Sequence, residues 1–322
     1  MTPAEAPLVN PLPTVLSGGS DHSIKYWDAA GRLYGTVGTH DSSISAIAIA
    51  FLPDKRDRKG TLQPVLISGG TGGQLKIWAI GNGALPNATP LQSVQAHMGG
   101  VTALAVSADG KRIATGGADA YIRLWDLQTC QRLGEFKAHD AAIRSLQFSK
   151  DGSTLVSGSD DRLVRIWKLG DPNAPLDYQS TILAHESAVT AIALSPDAST
   201  IASVSSDGYL KLWNIHGGSL IRQMRVNPHS VLSVAFSPKG NQIATGDSDG
   251  RIRIWNVQNG TPTPFSGSHT RGVHSLAWTP DGALLISGGD DKALCYWNVA
   301  NSRQIARITA HDGAVETIAL MP

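Results

Sequence analysis

Along most of the chain, apolar and polar residues alternate in short runs rather than at helical spacing. Segments such as "AVTAIALS", "TIASVS" and "YLKLWN" carry branched and apolar residues with a period of two, and polar clusters such as "SPDAST" and "SSDG" bound them. Alternation over so few residues predicts half-buried β-strands, and the Gly, Asp, Asn and Pro clusters predict the turns between them. No stretch sustains the spacing of an amphipathic helix, so the predicted fold class is all-β.

The strands recur at a fixed register. Tryptophan stands at Trp27, Trp78, Trp125, Trp167, Trp213, Trp255 and Trp297, with gaps of 51, 47, 42, 46, 42 and 42, and Trp278 lies outside the series. Ten residues before each of the seven is a hydroxyl residue: Ser17, Ser68, Thr115, Ser157, Ser203, Thr245 and Ser287. Six residues before them stands aspartate in six copies, at Asp21, Asp119, Asp161, Asp207, Asp249 and Asp291, with Gly72 in the remaining one. A four-stranded sheet of this size cannot bury both faces alone, whereas copies packed face to face in a ring bury them and shorten the exposed edges. The prediction is a seven-bladed β-propeller of four-stranded antiparallel blades, one domain over residues 13–322, preceded by a tail of residues 1–12.

At these residues the chain resembles the WD40 repeat (β-transducin-like) family, from Thr14 to Pro322. The matching pieces are the histidine that opens each copy, the Ser/Thr of the second strand, the Asp of the following turn and the Trp of the third strand. The Trp-Asp dipeptide survives only at Trp27-Asp28 and Trp125-Asp126, and no copy has Gly-His, so the spacing carries the resemblance. It implies a buried chain of hydrogen bonds in each blade, from Trp indole to hydroxyl to His ring to Asp carboxylate. The sets are His97, Thr115, Asp119 and Trp125; His139, Ser157, Asp161 and Trp167; His185, Ser203, Asp207 and Trp213; and His269, Ser287, Asp291 and Trp297. Aligning "NPHSVLSVAFSP" on "AHESAVTAIALSP" puts Asn227, not His229, at the histidine position. That copy and the copy of Trp78, with Gly72 for Asp, are expected to have incomplete networks.

The stretch "AHDGAVETIALMP", residues 310–322, is a first strand whose second and third strands lie at the other end of the chain, in "PTVLSGGSDHSIKYWD" from Pro13. Pairing of N- and C-terminal strands in one blade would close the ring and bring His311 to Ser17, Asp21 and Trp27. An open ring would leave a strand edge and two blade faces exposed.

Ser, His and Asp recurring together also fit a hydrolase triad, in which His deprotonates Ser and Asp orients His. Six or seven identical active sites are implausible where a structural device is expected once per repeat. The histidines His40, His97, His139, His185, His269 and His311 would sit on six blades, too far apart to share an ion, and no His/Cys cluster has ligand spacing. No metal and no cofactor is expected, and "GGTGG" from Gly69 is a turn without the helix or Lys-Ser/Thr of a phosphate loop.

Composition narrows the partner. The 322 residues include 41% hydrophobic and 16% charged residues, with 27 Lys plus Arg against 26 Asp plus Glu for a net charge of +1. That balance gives no footprint for nucleic acid or an anionic membrane. The longest apolar run, "ISAIAIAFL" from Ile44, is far short of a membrane span, so no membrane insertion is expected. Cys130 and Cys295 match no metal or redox pattern and read as reduced thiols of a cytoplasmic protein.

The copies differ where partners would bind. Family geometry implies a top face carrying the links between blades and the turns between second and third strands. The residue after the first branched aliphatic of each first strand should then ring the channel mouth: Ser45, Thr102, Arg144, Thr190, Leu232, His274 and Glu316. Asp160 and Asp290, before the turn Asp, should stand beside them. Arg144, Asp160, Leu232, His274, Asp290 and Glu316 are the candidate partner-binding residues, and His274, Asp290 and Glu316 cluster as an acceptor for a basic or hydrogen-bonding segment. Insertions at "PDKRDRKGTLQP" from Pro53, "GNGALPNATP" from Gly81 and "GDPNAPLDYQ" from Gly170 fall on the bottom, and the first holds Lys55, Arg56, Arg58 and Lys59. A basic residue two before Trp (Lys25, Lys76, Arg123, Arg165, Lys211, Arg253) would pack its aliphatic stem against a neighbouring blade. The resemblance thus implies a non-catalytic platform for one or more proteins or peptides, itself monomeric. The alternative is a propeller enzyme or small-ligand propeller with a site at the central channel.

Overall fold

The computed structural model describes residues 14–321 other than 29, 54–61, 81–88, 170–176, 264 and 266. The tail of residues 1–12 and the three bottom insertions, with Lys55 to Lys59, therefore fall largely outside the described residues. Every regular element among them is a strand, and the strands form seven antiparallel sheets of four.

Blade 1 is Val315–Leu320, Val15–Gly19, Ser23–Trp27 and Leu33–Thr39, in that order across the sheet. Blade 2 is Ile44–Pro53, Leu62–Gly70, Gln74–Ala79 and Gln92–Gln95. Blades 3 to 7 begin at Val101–Val106, Ile143–Phe148, Val189–Leu194, Val231–Phe236 and Val273–Trp278, and each sheet runs in chain order. First strands of successive blades touch around the ring, the first strand of blade 1 meeting those of blades 7 and 2, so they line the centre. The fold class and the closure are as the sequence predicts: Leu320, Ala319, Ile318 and Thr317 pair with Val15, Leu16, Ser17 and Gly18.

The hydrophobic core lies between blades, which is why a single blade cannot stand alone. One cluster joins Leu16, Ile24 and Val37 of blade 1 to Ile44, Leu66 and Trp78 of blade 2, and another joins Ile122 and Ala138 of blade 3 to Ile143, Phe148 and Trp167 of blade 4. Contact is close enough that a Cβ on Gly116 would lie 2.6 Å from Ile143 Cγ2 of the next blade. Trp278, outside the repeat series, ends the first strand of blade 7 and donates from Nε1 to Ala235 O of blade 6 at 3.2 Å.

Each first strand carries a bulge at the same place, seen as a register shift such as that between Ile143 and Ser145. The bulged residue is the one the sequence places at the channel mouth, and a bulge re-aims its side chain out of the alternation. The turns after the second strands lie on that face too. Asp160 N–H donates to Ala142 O at 3.0 Å and Asp290 N–H to Gly272 O at 2.9 Å, tying each turn to the link that enters the blade.

Candidate functional site

The repeated polar network is fully formed in five blades. Trp Nε1–H donates to the hydroxyl at 2.7 to 2.9 Å in all seven. His Nε2 lies 2.7 to 2.9 Å from that hydroxyl in six. His Nδ1 reaches the turn carboxylate at 2.7 to 2.9 Å for the pairs His97–Asp119, His139–Asp161, His185–Asp207, His269–Asp291 and His311–Asp21. A carboxylate only accepts, so Nδ1 carries the proton, Nε2 accepts the hydroxyl proton, and the hydroxyl oxygen takes the indole N–H. Every member is satisfied with a neutral ring, the condition under which a buried network stabilises.

This has the geometry of a hydrolase triad with the nucleophile shut in. Ser17, Thr115, Ser157, Ser203 and Ser287 are wholly buried and already hold an indole N–H, so no substrate carbonyl can reach them. Among the described residues no three His, Cys, Asp or Glu side chains are grouped to hold a metal ion. Cys295 is buried, and burial pushes its thiol up to about 11, away from the thiolate a redox role needs.

The two irregular blades depart from the pattern in different ways. In blade 2, His40 Nε2 meets Ser68 Oγ at 2.7 Å but Nδ1 has no partner, because Gly72 offers no carboxylate. In blade 6, Asn227 reaches Asp249 from Nδ2 at 3.1 Å, and a second carboxylate, Asp247, is fully buried against Arg253 Nη1 at 2.7 Å. In blade 3, the residue matching Asp247 is Gly117, where a Cβ would lie 2.1 Å from the His97 ring. Asparagine, shorter than histidine, leaves room for Asp247.

Four of the basic residues two before Trp place their charged heads on the backbone. Their stems share the Trp face, as alternation requires, and their heads reach backbone carbonyls. Lys25, Lys76 and Lys211 donate from Nζ to the carbonyls of Ala310, Thr39 and Ala184 at 2.9 to 3.1 Å, and Arg165 donates to Ala138 O. Each of those carbonyls belongs to the residue before a network histidine, so the cation fastens the link that delivers it.

Acid should undo these networks. Burial alone would raise the turn carboxyls, yet the His139 and His269 hydrogen bonds and backbone N–H groups hold Asp161 and Asp291 down at about 2, and Asp207 is lowered likewise. Burial lowers His97, His269 and His311, and lowers His40 from 6.5 to about 4. A histidine depressed on folding takes its proton first in the unfolded chain, so stability is complete above about 6.5 and falls as pH drops toward 4, with the carboxylates extending the loss below that. Urea midpoints should fall steadily from pH 7 to pH 5; a flat profile over that range would contradict the buried neutral rings.

The bulged residues sort into two groups by what their side chains bond to. Ser45, Thr102 and Thr190 stand at bulges of the channel mouth, and their hydroxyls are spent on the ring itself. Each donates to the first-strand carbonyl of the next blade: Ser45 to Val101 O, Thr102 to Ile143 O, and Thr190 to Val231 O at 2.5 Å. Where the bulged residue is not a hydroxyl, the following residue makes the junction. Ser233 Oγ donates to Val273 O at 2.9 Å, while Ser145, Ser275 and Thr317 accept from the N–H groups of Ile192, Ile318 and Ile47 at 3.2, 3.1 and 3.3 Å. All seven junctions have one such bond. Arg144, Leu232, His274 and Glu316 are thereby released from it.

The released residues fall into an isolated pair and a continuous arc. Arg144 is bound bidentately by Asp160, with Nη2 2.6 Å from Oδ2, so these two candidates neutralise each other on blade 4. Leu232, His274 and Glu316 stand on the consecutive blades 6, 7 and 1. His274 Nε2 lies 2.8 Å from Asp290 Oδ1, and both are part-exposed. A Cβ on Gly272 would lie 2.8 Å from Asp290 Oδ2 and 3.0 Å from Leu232 Cδ1, so these two flank one glycine. Burial, with Asp290 adding to it against the pull of His274, raises the Glu316 carboxyl. The arc thus offers two carboxyls and a histidine beside one apolar side chain.

A second concave surface lies on the bottom. The first hairpin of blade 2 extends its ladder to Pro53 opposite Leu62, with strands longer than the six residues usual elsewhere. Phe51 and Leu62 are exposed there, above a cleft of about 670 Å³ shared with Asp109, Lys111 and Gln128 of blade 3.

Comparison with known proteins agrees with this geometry. The family model described as "WD domain, G-beta repeat" matches residues 88–126, 130–168, 177–214, 218–256 and 261–298, more than half of the chain. Relatives match over parts only. "Target of rapamycin complex subunit wat1" of Schizosaccharomyces pombe is 28% identical over 115 residues, 35% of this chain and 32% of the relative. "Nuclear distribution protein PAC1" of Arthroderma otae is 32% identical over 34% of this chain and 23% of its own length, and "Transducin beta-like protein 3" of Bos taurus is 30% identical over 38% and 14%. The matched stretch is thus about a third or less of each of these relatives. The crystal structure of the computationally designed Ika8 protein superposes with a TM-score of 0.70 at 26% identity, covering 96% of this chain and 91% of that one. Among the described residues no helix is long and apolar enough to cross a membrane.

Proposed function

The chain belongs to the WD40 repeat family, and from that premise we propose that it is a non-catalytic platform that holds one or more protein or peptide partners on its top face. Support comes from the four side chains that the junction bonds release. Seven identical junctions would close the ring with Ser or Thr at every bulge, yet three consecutive blades put Leu232, His274 and Glu316 there instead. With Asp290 they make an acceptor for a basic or hydrogen-bonding segment, the apolar Leu232 at its edge. Two relatives are named as a complex subunit and a distribution protein, in keeping with an assembly role. We place the propeller as a monomer in the cytoplasm, where two buried free thiols suit a reducing compartment, and at a net charge of +1 we assign it no nucleic-acid partner.

The test is affinity capture from native lysate with the parent chain and with Asp290→Ala/Glu316→Ala, bound proteins being quantified by mass. The variant should lose most of the specific captures while its melting stays within a degree or so of the parent's, as expected for changes outside the core. Equal capture by both would move the binding surface to the bottom cleft. No specific capture, with turnover of a small-molecule panel, would favour a channel enzyme instead.

A further inference from the structure

Blade 2 keeps the turn geometry of the other blades without the turn's carboxylate. Gly73 holds φ +89°, as His22 (+69°) and Arg162 (+75°) do at the same place, and its N–H donates to Gly70 O at 2.9 Å as Arg162 N–H donates to Ser159 O at 3.1 Å. In blades 1, 4, 5 and 7, one aspartate fills the space beside that turn and accepts from three donors. These are the ring Nδ1–H, the N–H of the residue after the histidine, and the N–H two residues beyond the aspartate, as with His139, Asp140 and Leu163 around Asp161. Blade 2 places His40, Asp41 and Gln74 at those positions and gives them Gly72.

The place is buried at one end and open at the other. His40 is 4% exposed and its Nδ1 has no hydrogen-bond partner, whereas Gly72 is exposed. A Cβ on Gly72 would lie 3.1 Å from Ser42 Oγ, a close contact that a small shift of this one side chain relieves, and Gly72 lies outside the left-handed region. Ser42 Oγ accepts the Gly72 N–H at 2.7 Å, which leaves its own proton to donate. Of the charges that bear on His40, the Lys76 ammonium, fixed 3.1 Å from Thr39 O, favours an anion, and the exposed Asp41 opposes it.

We propose that the space beside Gly72 is a receptor for a carboxylate from outside the chain, which takes the seat that the turn aspartate takes in the complete blades. A buried polar group left unpaired is costly, so an acceptor supplied from outside gains what Asp161 supplies from within. No proton need move: a neutral His40 donates from Nδ1 while Nε2 accepts from Ser68. A side chain of a bound protein and a small free acid both offer that carboxylate, and the inference stands independently of the arc around Glu316.

The test follows the His40 ring by NMR in the whole chain at neutral pH. One arm titrates acetate against chloride at equal ionic strength; the other titrates an end-blocked Gly-Glu-Gly peptide against its Gly-Gln-Gly counterpart. Saturable shifts of the His40 ring are expected in the parent and in Asp290→Ala/Glu316→Ala. They should vanish in Gly72→Asp, which fills the seat internally and should melt above the parent. Response to both probes assigns the seat to a side-chain carboxylate, and response to acetate alone assigns it to a small free acid. A ring unmoved by either probe in the parent chain, or an equal response in Gly72→Asp, overturns the proposal whatever the variant's stability.

Discussion

Deleting residues 311–322 should abolish cooperative unfolding of the whole disc rather than lower its melting point by a few degrees. The deletion removes Val315, fully buried, and Ile318, nearly so, from the cluster that also holds Tyr296 and Ile286 of blade 7. Burial of two such side chains contributes roughly 4 kcal/mol. It also unpairs the edge of Val15–Gly19 and takes from Ser17 and Asp21 their bonds to His311. Several lost backbone bonds and the lost His311 network bonds bring the total to the order of 10 kcal/mol. That matches the entire stability of an ordinary domain, so the ring should not survive as a unit. Calorimetry and size-exclusion chromatography check this, and a truncated chain that melts as one sharp transition near the parent's would refute closure by these residues.

The second large effect is an asymmetry between a network histidine and one that stands outside its network. His185→Ala should cost about 3 kcal/mol, because His185 is buried and its loss leaves both Ser203 Oγ and Asp207 short of a partner around a new cavity. His229→Ala should stay within about 0.5 kcal/mol, since that ring is exposed and its position in the network is held by Asn227. Denaturant midpoints of the two variants decide the matter. Equal losses would mean that the networks add little to stability.

The regular part of this molecule was legible because it repeats. Strand type, blade number, the closing pair and the two incomplete networks all follow from residues at fixed offsets within one copy, where spacing alone implies contact. What escaped notice are the bonds between copies. Ser45 is followed by Ala46, Thr102 by Ala103 and Thr190 by Ala191, whereas Arg144, Leu232, His274 and Glu316 are followed by Ser145, Ser233, Ser275 and Thr317. The alternation is plain once the bonds are known, but each bonds to a partner some forty to sixty residues onward, or across the chain ends. A periodic reading shows which face a side chain takes and not where its polar end arrives. The same limit hid the destination of Lys25 and Lys211, and it hid the exchange in blade 6. Asp247 stands where blade 3 has Gly117, but only packing shows that the shorter Asn227 admits it.

The pairing of Val315–Leu320 with Val15–Gly19 has a further meaning in time. His311 and Ser17 are 294 positions apart, so during synthesis the three strands near the N-terminus wait for their fourth until nearly all of these residues have been made. Bringing such distant segments together costs roughly 2 to 3 kcal/mol more loop entropy than a hairpin of some fifteen residues. Contacts of that range slow folding and leave the waiting strands open to wrong pairing. Blades 2 to 7, each continuous in the chain, can assemble in order as they emerge, and the joining of blade 1 becomes the late event that turns a stack of sheets into a disc.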